Sequence, residues 1–203
     1  MNANRPQAAS HIGLAGYMGS GKSTIAGLLT RGGYVVIDAD REAKGVMEHS
    51  TDVRAKLADT FGDDVLSTEG IDFRALGAKV FQDLENLRKL NTIAHPPLLE
   101  HLRAKLESLA DKKTVLDAAL LPLWNHEAWF AQLWWVDCNR ETRLQRVHAK
   151  TGLPQDTIRR RMDKQEQLYA PPPSPPWIRI VNDGDLPHLE ETVAALLGAP
   201  AKS

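Results

Sequence analysis

The sequence predicts an α/β fold, a parallel sheet wrapped on both faces by helices. Three observations predict it. Short apolar runs that end in acidic or small residues alternate with helical patterns along the chain. The first run, His11-Ile12-Gly13-Leu14-Ala15, leads into Gly16-Tyr17-Met18-Gly19-Ser20-Gly21-Lys22-Ser23, which fits the phosphate-loop pattern G-x-x-x-x-G-K-[ST]. Directly after it, Ile25, Leu28 and Leu29 recur with the spacing of one helix face. Strand, glycine loop and helix start together aim a nest of backbone N–H groups at one point, where the helix dipole adds positive character.

The remaining elements follow in order. Gly32-Gly33 ends the first helix, and Tyr34-Val35-Val36-Ile37-Asp38 reads as a second buried strand. Helical pattern dominates from Arg41 to about Leu109, with breaks at His49-Ser50, at Phe61-Gly62-Asp63-Asp64 and at Glu69-Gly70. Asp72 is placed to cap a helix carrying Phe73, Leu76, Val80 and Phe81. A longer helical region begins near Leu84 and is expected to break at His95-Pro96-Pro97, since a residue before proline disfavours helix.

Thr114-Val115-Leu116-Asp117 and Leu133-Trp134-Trp135-Val136-Asp137 read as a third and a fourth strand, with a short helix expected between them over Pro122 to Phe130. From Arg140 to Leu168 the chain is polar, basic and helical in pattern, interrupted at Thr151-Gly152-Leu153-Pro154. The proline-rich 171–176 reads as a stiff extended connector. A fifth strand, Trp177-Ile178-Arg179-Ile180-Val181, precedes Asn182-Asp183-Gly184 and a last amphipathic helix ending near Leu197.

Composition narrows the function classes. With 203 residues, 42% of them hydrophobic, the chain can bury one sizeable core with room for an insertion or a lid. A net charge of −1 argues against bulk electrostatic binding to nucleic acid or to an anionic membrane. The single Cys138 excludes an internal disulfide and a cysteine-built zinc site. No stretch approaches the roughly 20 apolar residues of a membrane span. Residues 1–10 are polar without an apolar core, so a loose tail on a cytoplasmic protein is expected rather than a secretory signal.

The chemistry-bearing residues lie at strand ends. Lys22 supplies a charge for β- and γ-phosphates, and Ser23 a hydroxyl ligand for Mg²⁺. Asp38 and Asp40 stand at the rim of the second strand, where ligands bind in open α/β sheets. One of the two acids serves as a helix cap; Asp40 is assigned the chemistry, as the carboxylate for an acceptor hydroxyl. Asp117 has the apolar lead-in of an acid that holds Mg²⁺ through water, although a strand-end turn residue has the same pattern. Arg143, Arg146 and Lys150 share a helix face, and Arg159-Arg160-Arg161 adds a second basic cluster, so a mobile helical hairpin could close over phosphates. Arg146 is the first choice among them. His95 could touch a substrate or be a turn residue satisfied by backbone.

In order and spacing, Gly19-Ser20-Gly21-Lys22-Ser23-Thr24, Val36-Ile37-Asp38-Ala39-Asp40, Phe61-Gly62, Gly70-Ile71-Asp72 and Val80-Phe81 resemble the dephospho-CoA kinase family. Leu90-Asn91-Thr92-Ile93-Ala94-His95-Pro96 is the most specific match, and Leu120-Leu121, Glu141 to Arg146, Gln165 and Val181-Asn182-Asp183-Gly184 extend it over nearly the whole chain. The resemblance implies a P-loop kinase fold: a five-stranded parallel sheet flanked by helices, with a helical substrate-binding insertion and a helical lid. The core would comprise 11–40, 112–140 and 177–203, the CoA-binding region 41–111 and the lid 141–170. It implies ATP and Mg²⁺ as cofactors and phosphorylation of the ribose 3′-hydroxyl of dephospho-CoA, the last step of coenzyme A synthesis. Residues 19–24 would hold the nucleotide, Lys22, Asp40 and Arg146 would be catalytic, Asp38, Arg74 and His95 would meet the substrate, and Ser23 and Asp117 the metal.

The chain departs from that family at several places. Where the family usually reads Asp-x-Pro-Leu-Leu-Phe-Glu, this chain has Asp117-Ala118-Ala119-Leu120-Leu121-Pro122-Leu123. The arginine expected after Asp72 is Phe73, with Arg74 one place on, and the second lid arginine is Lys150. Two other readings stay open. The phosphate loop also resembles that of shikimate kinases, although their central Gly-Gly-Gly motif is missing, and a catalytically weak nucleotide-binding regulator fits the altered segment Ala119 to Leu123. A GTPase does not fit, since no Asn-Lys-x-Asp motif occurs.

Overall fold

The computed structural model describes residues 11–198; the tail expected at 1–10 lies outside the described residues. In chain order the elements are β1 (Ile12–Gly16), α1 (Lys22–Arg31), β2 (Val35–Asp38), α2 (Ala39–His49), α3 (Thr51–Phe61), β3 (Leu66–Ser67), β4 (Gly70–Ile71), α4 (Phe73–Val80) and α5 (Leu84–Ser108). There follow β5 (Thr114–Asp117), β6 (Gln132–Asp137), α6 (Arg140–Thr151), α7 (Gln155–Leu168), β7 (Trp177–Val181) and α8 (Leu186–Leu196). They form two compact units, one made of Asp38–Ser108 and the other of the chain on either side of it.

The flanking chain builds a five-stranded sheet in the order β2-β5-β1-β6-β7. Strand β1 pairs in parallel with β5 and with β6, and β6 pairs in parallel with β7. Every residue of β1 is buried, as a central strand covered on both faces must be. The core beside it collects Leu14, Ile25, Leu29, Val115, Trp134, Val136, Ile180, Leu189 and Val193, which joins α1 and α8 to the sheet. Gly13 permits a close approach on the sheet: a Cβ there would stand 2.7 Å from Leu121 Cδ2 and 2.9 Å from Leu133 Cδ2.

Between β5 and β6 the expected short helix is absent. Two single 3₁₀ turns, Leu121–Leu123 and Glu127–Trp129, take its place. Pro122 and the positive φ of Asn125 at 55° keep a continuous helix from propagating, while Leu121 and Trp124 are buried as anchors. Helices α6 and α7 form a hairpin with a small core of its own, Leu144, Val147, Ile158 and Met162, against which Met18 and Leu153 pack. Gly152 turns the hairpin with φ 67°. The proline run is not straight: Ser174–Pro176 form a turn, and Trp177 N reaches back to Pro173 O at 3.4 Å.

The inserted unit is helical around Met47, Val53, Leu57, Phe61, Val65, Ile71, Leu76, Val80 and Ala94. Ser50 caps α3 with its side chain, which accounts for the break read at His49-Ser50, and Asp72 caps α4 as expected. The break read at Glu69-Gly70 is an antiparallel hairpin of two two-residue strands, Leu66 opposite Ile71. The break expected at His95-Pro96-Pro97 is corrected. Helix α5 runs without interruption through Pro96 and Pro97. The prolines remove the amides that would reach the Thr92 and Ile93 carbonyls, but Ala94, Leu98, Leu102 and Leu106 bury one continuous stripe on both sides of them. Glu42 of α2 also holds α5, through His101 Nε2 and Lys105 Nζ, each at 2.6 Å.

Candidate active site

The phosphate loop grows out of the buried end of β1 and closes as a turn, with Ser20 N donating to Tyr17 O at 3.1 Å. Two of its glycines are demanded by geometry. Gly19 has φ 78°, and a Cβ on it would lie 2.6 Å from the Arg143 carbonyl oxygen. Gly21 has φ 99°, and a Cβ on it would lie 2.1 Å from Asn182 Nδ2. No side chain caps α1 at Gly21 or α7 at Pro154, whereas α2, α3, α4, α6 and α8 each carry an Asp, Ser or Asn cap. At the start of α1, Thr24 N and Ile25 N turn back to Gly21 O at 3.0 and 3.2 Å, so the amides of Lys22 and Ser23 are the ones a bound anion would take, in the same place as the positive end of the helix dipole.

Charged side chains gather at that helix start. Lys22 Nζ stands 3.5 Å from Asp117 Oδ1 at the end of β5, and both side chains are largely buried. Ser23 and Thr24 present exposed hydroxyls on the first turn. Arg146, half-buried on α6, donates from Nη1 to Asn182 O at 3.0 Å, and the same nitrogen would be 3.8 Å from a Cβ on Gly21. Asn182 completes the tie by donating from Nδ2 to Ser20 O at 2.7 Å. This set suits a triphosphate and its magnesium ion: uncapped amides and two cations for phosphate oxygens, with a hydroxyl and a carboxylate as hard oxygen ligands.

The three basic residues of α6 do not act as one face. Arg143 is buried, paired with Glu166 of α7, and lies 5.1 Å from the centre of the Tyr17 ring, whereas Lys150 is exposed. In the second cluster Arg159 is exposed and pairs with Asp156 at 3.4 Å. Cys138 sits under Arg146 with Nη1 at 3.4 Å from Sγ, and burial pushes its thiol up to about 11.

In the inserted unit, Asp38 and not Asp40 is the cap of α2. Its Oδ1 accepts from Asp40 N at 2.9 Å and Arg41 N at 3.1 Å, while Asp40 lies in the first turn. Arg74 is exposed in the first turn of α4, and His95 is half-buried on α5. Burial holds the His95 imidazole below its ordinary value, so at neutral pH it is an uncharged hydrogen-bonding group.

The sequence reading passed over Tyr17 and Tyr169. Tyr17 donates its hydroxyl to Tyr169 O at 2.7 Å, and both rings pack on Trp135. No periodicity marks Tyr169, which follows α7 in a polar stretch. Gln165 and Asn182 carried a signal only through the resemblance.

Comparison with known proteins places this arrangement. The family model for dephospho-CoA kinase matches residues 10–170. A dephospho-CoA kinase of Corynebacterium glutamicum is 37% identical over 158 residues, covering 76% of this chain and 81% of the relative. One from Carboxydothermus hydrogenoformans is 32% identical over 194 residues and covers 92% of each chain. Among solved structures, TT1252 from Thermus thermophilus superposes with a TM-score of 0.71 at 30% identity, covering 95% of this chain and 98% of that one. A shikimate kinase from Bacteroides thetaiotaomicron, at 16% identity and a TM-score of 0.51, shares the fold alone. A family model spanning most of the chain, and relatives above 30% identity over more than two thirds of it, agree with the geometry around Lys22: the chain belongs to the dephospho-CoA kinase family.

Proposed function

We propose that the protein transfers the γ-phosphoryl group of ATP to the ribose 3′-hydroxyl of dephospho-CoA, giving coenzyme A, and that it does so in the cytoplasm. The observation that carries the reading is the uncapped start of α1, with Lys22, Asp117 and Arg146 around it. The loop amides of 19–24 bind the phosphates, and Lys22 holds the β- and γ-oxygens in line for transfer. Arg146 neutralises charge on the transferring group as it moves between the two oxygens. Ser23 and Asp117 would hold a magnesium ion, which would supply further charge neutralisation. Asp40, in the first turn of α2 at the rim of β2, is the acid assigned to the acceptor, taking the proton of the hydroxyl or holding it in line. Arg74 and His95 are assigned to the substrate in the inserted unit.

A coupled assay of ADP release decides the matter. Dephospho-CoA should be turned over in preference to shikimate and to a panel of nucleosides, and Lys22→Ala should abolish turnover while leaving the melting curve intact. Turnover of shikimate but not dephospho-CoA would reverse the substrate assignment, and full activity in the Lys22 variant would remove the phosphate loop from the mechanism.

A further inference from the structure

The C-terminal end of α7 reaches two loops, the phosphate loop and the turn after β5. Gln165 Oε1 accepts from Met18 N, in the phosphate loop, at 2.8 Å. Gln165 Nε2 donates to the Tyr169 hydroxyl at 3.3 Å. That hydroxyl donates to Ala119 O at 2.7 Å, in the turn after β5. Ala119 opens the segment Ala119–Leu123 that departs from the family pattern.

These bonds run in one direction only. The Met18 amide can only donate, so it fixes the oxygen of Gln165 toward the phosphate loop and turns the NH₂ group toward Tyr169. Tyr169 then accepts from that group and has its single proton left for Ala119 O. Neighbouring groups hold both ends. The Met18 side chain packs into the core of the α6–α7 hairpin, and the Tyr169 ring is buried between Tyr17 and Trp135. Loss of the Tyr169 hydroxyl leaves the Gln165 amide held at its oxygen alone, with its NH₂ group unpartnered on that side, so a change at Tyr169 reaches Met18 through the orientation of one amide.

We infer that Gln165 and Tyr169 are positioning residues that lock the backbone of the phosphate loop to the turn after β5 and so hold the loop in its nucleotide-binding geometry. This rests on the ATP-binding part of the kinase reading and not on the identity of the acceptor. A purely structural role would lower the melting temperature without changing how the folded protein binds nucleotide. A positioning role changes nucleotide binding in a protein that is still fully folded.

The test uses Gln165→Met and Tyr169→Phe, which remove the polar ends and keep most of the volume, singly and together. ATP dissociation constants are read by competition with a fluorescent nucleotide, well below the melting temperature, alongside kcat and KM for dephospho-CoA. Each single variant should weaken ATP binding by about tenfold, the scale of one lost hydrogen bond with its partner left unpaired. The double variant should be no worse than about the weaker single one, because either change cuts the same chain. The inference is overturned if both single variants bind ATP within about twofold of wild type, or if the two losses multiply to about a hundredfold in the double variant. Should wild type bind ATP yet leave dephospho-CoA untouched, the kinase reading falls and the ATP titrations still decide the role of the two residues.

Discussion

Gly19→Ala is the sharpest test of how tightly the phosphate loop is clamped against α6. Gly19 has φ 78°, a region that costs a residue with a Cβ about 1–2 kcal/mol. The new methyl group would meet the Arg143 carbonyl oxygen at 2.6 Å, Val147 Cγ2 at 2.9 Å and Arg143 Cα at 3.0 Å. Two of these atoms are helix backbone and cannot swing away, so overpacking adds about 1–3 kcal/mol. The sum, about 2–5 kcal/mol, corresponds to a fall of about 4–20 °C in melting temperature for a chain of this size. If α6 retreats instead, Arg146 retreats with it, and a misplacement of about 1 Å can cost about a hundredfold in turnover. Gly33→Ala is the control. Its φ is 83°, but nothing lies within 4 Å of the added Cβ, so only the backbone penalty applies. Melting curves and the ADP-release assay are run on both. A Gly19 variant that melts no lower than the Gly33 variant and keeps its turnover would refute the clamp.

Three other outcomes are expected. Arg146→Ala should lower kcat more than it raises KM for ATP, since its guanidinium acts on charge developed during transfer; a raised KM with unchanged kcat would assign it to ground-state binding. Asp40→Asn should cut kcat by about 10²–10⁴ with ATP affinity unchanged, the usual contribution of a general base. Asp38→Ala should instead cost about 1 kcal/mol of stability as a lost cap, and a reversed pattern between the two acids would reverse their roles. Cys138 should resist thiol reagents at pH 8 in the native protein, because its buried thiol ionises only near about 11, and react at once on unfolding; rapid native labelling would contradict the burial.

The sheet and the phosphate loop were legible because their signals are local. A G-x-x-x-x-G-K-[ST] turn between an apolar run and a helix face needs no tertiary information, and all five strands of the sheet fall on the runs read from the chain. The cap at Asp72 and the break at His49-Ser50 were readable for the same reason. The failures were tertiary. Nothing near His95-Pro96-Pro97 announces that Ala94, Leu98, Leu102 and Leu106 share one buried stripe, so the proline rule prevailed in the reading and packing prevailed in the fold. The helix expected over Pro122 to Phe130 breaks at Asn125, whose φ of 55° separates two 3₁₀ turns. At the site, Lys22 and Arg146 could be named from spacing, but the choice of Asp38 as the cap is a matter of backbone angles. The spread of Arg143, Arg146 and Lys150 from buried to exposed depends on Glu166 and Tyr17, far away in sequence.

Strand β7 lies at one margin of the sheet, with a row of backbone groups turned away from β6 and with Val181 more than half exposed. Such a margin is a template on which a second chain could add itself and begin an aggregate. The residues just before it work against that. Five of the six positions in 171–176 are proline, so Ser174 alone among them carries an amide proton. An incoming strand that paired with β7 would run out of donors as soon as it passed Trp177. Within β7, Arg179 is charged and held by Asp137 at 3.0 Å, which puts a further obstacle in the middle of the margin. The proline run thus acts as a guard on solubility, keeping a five-residue strand from growing into a longer adhesive one.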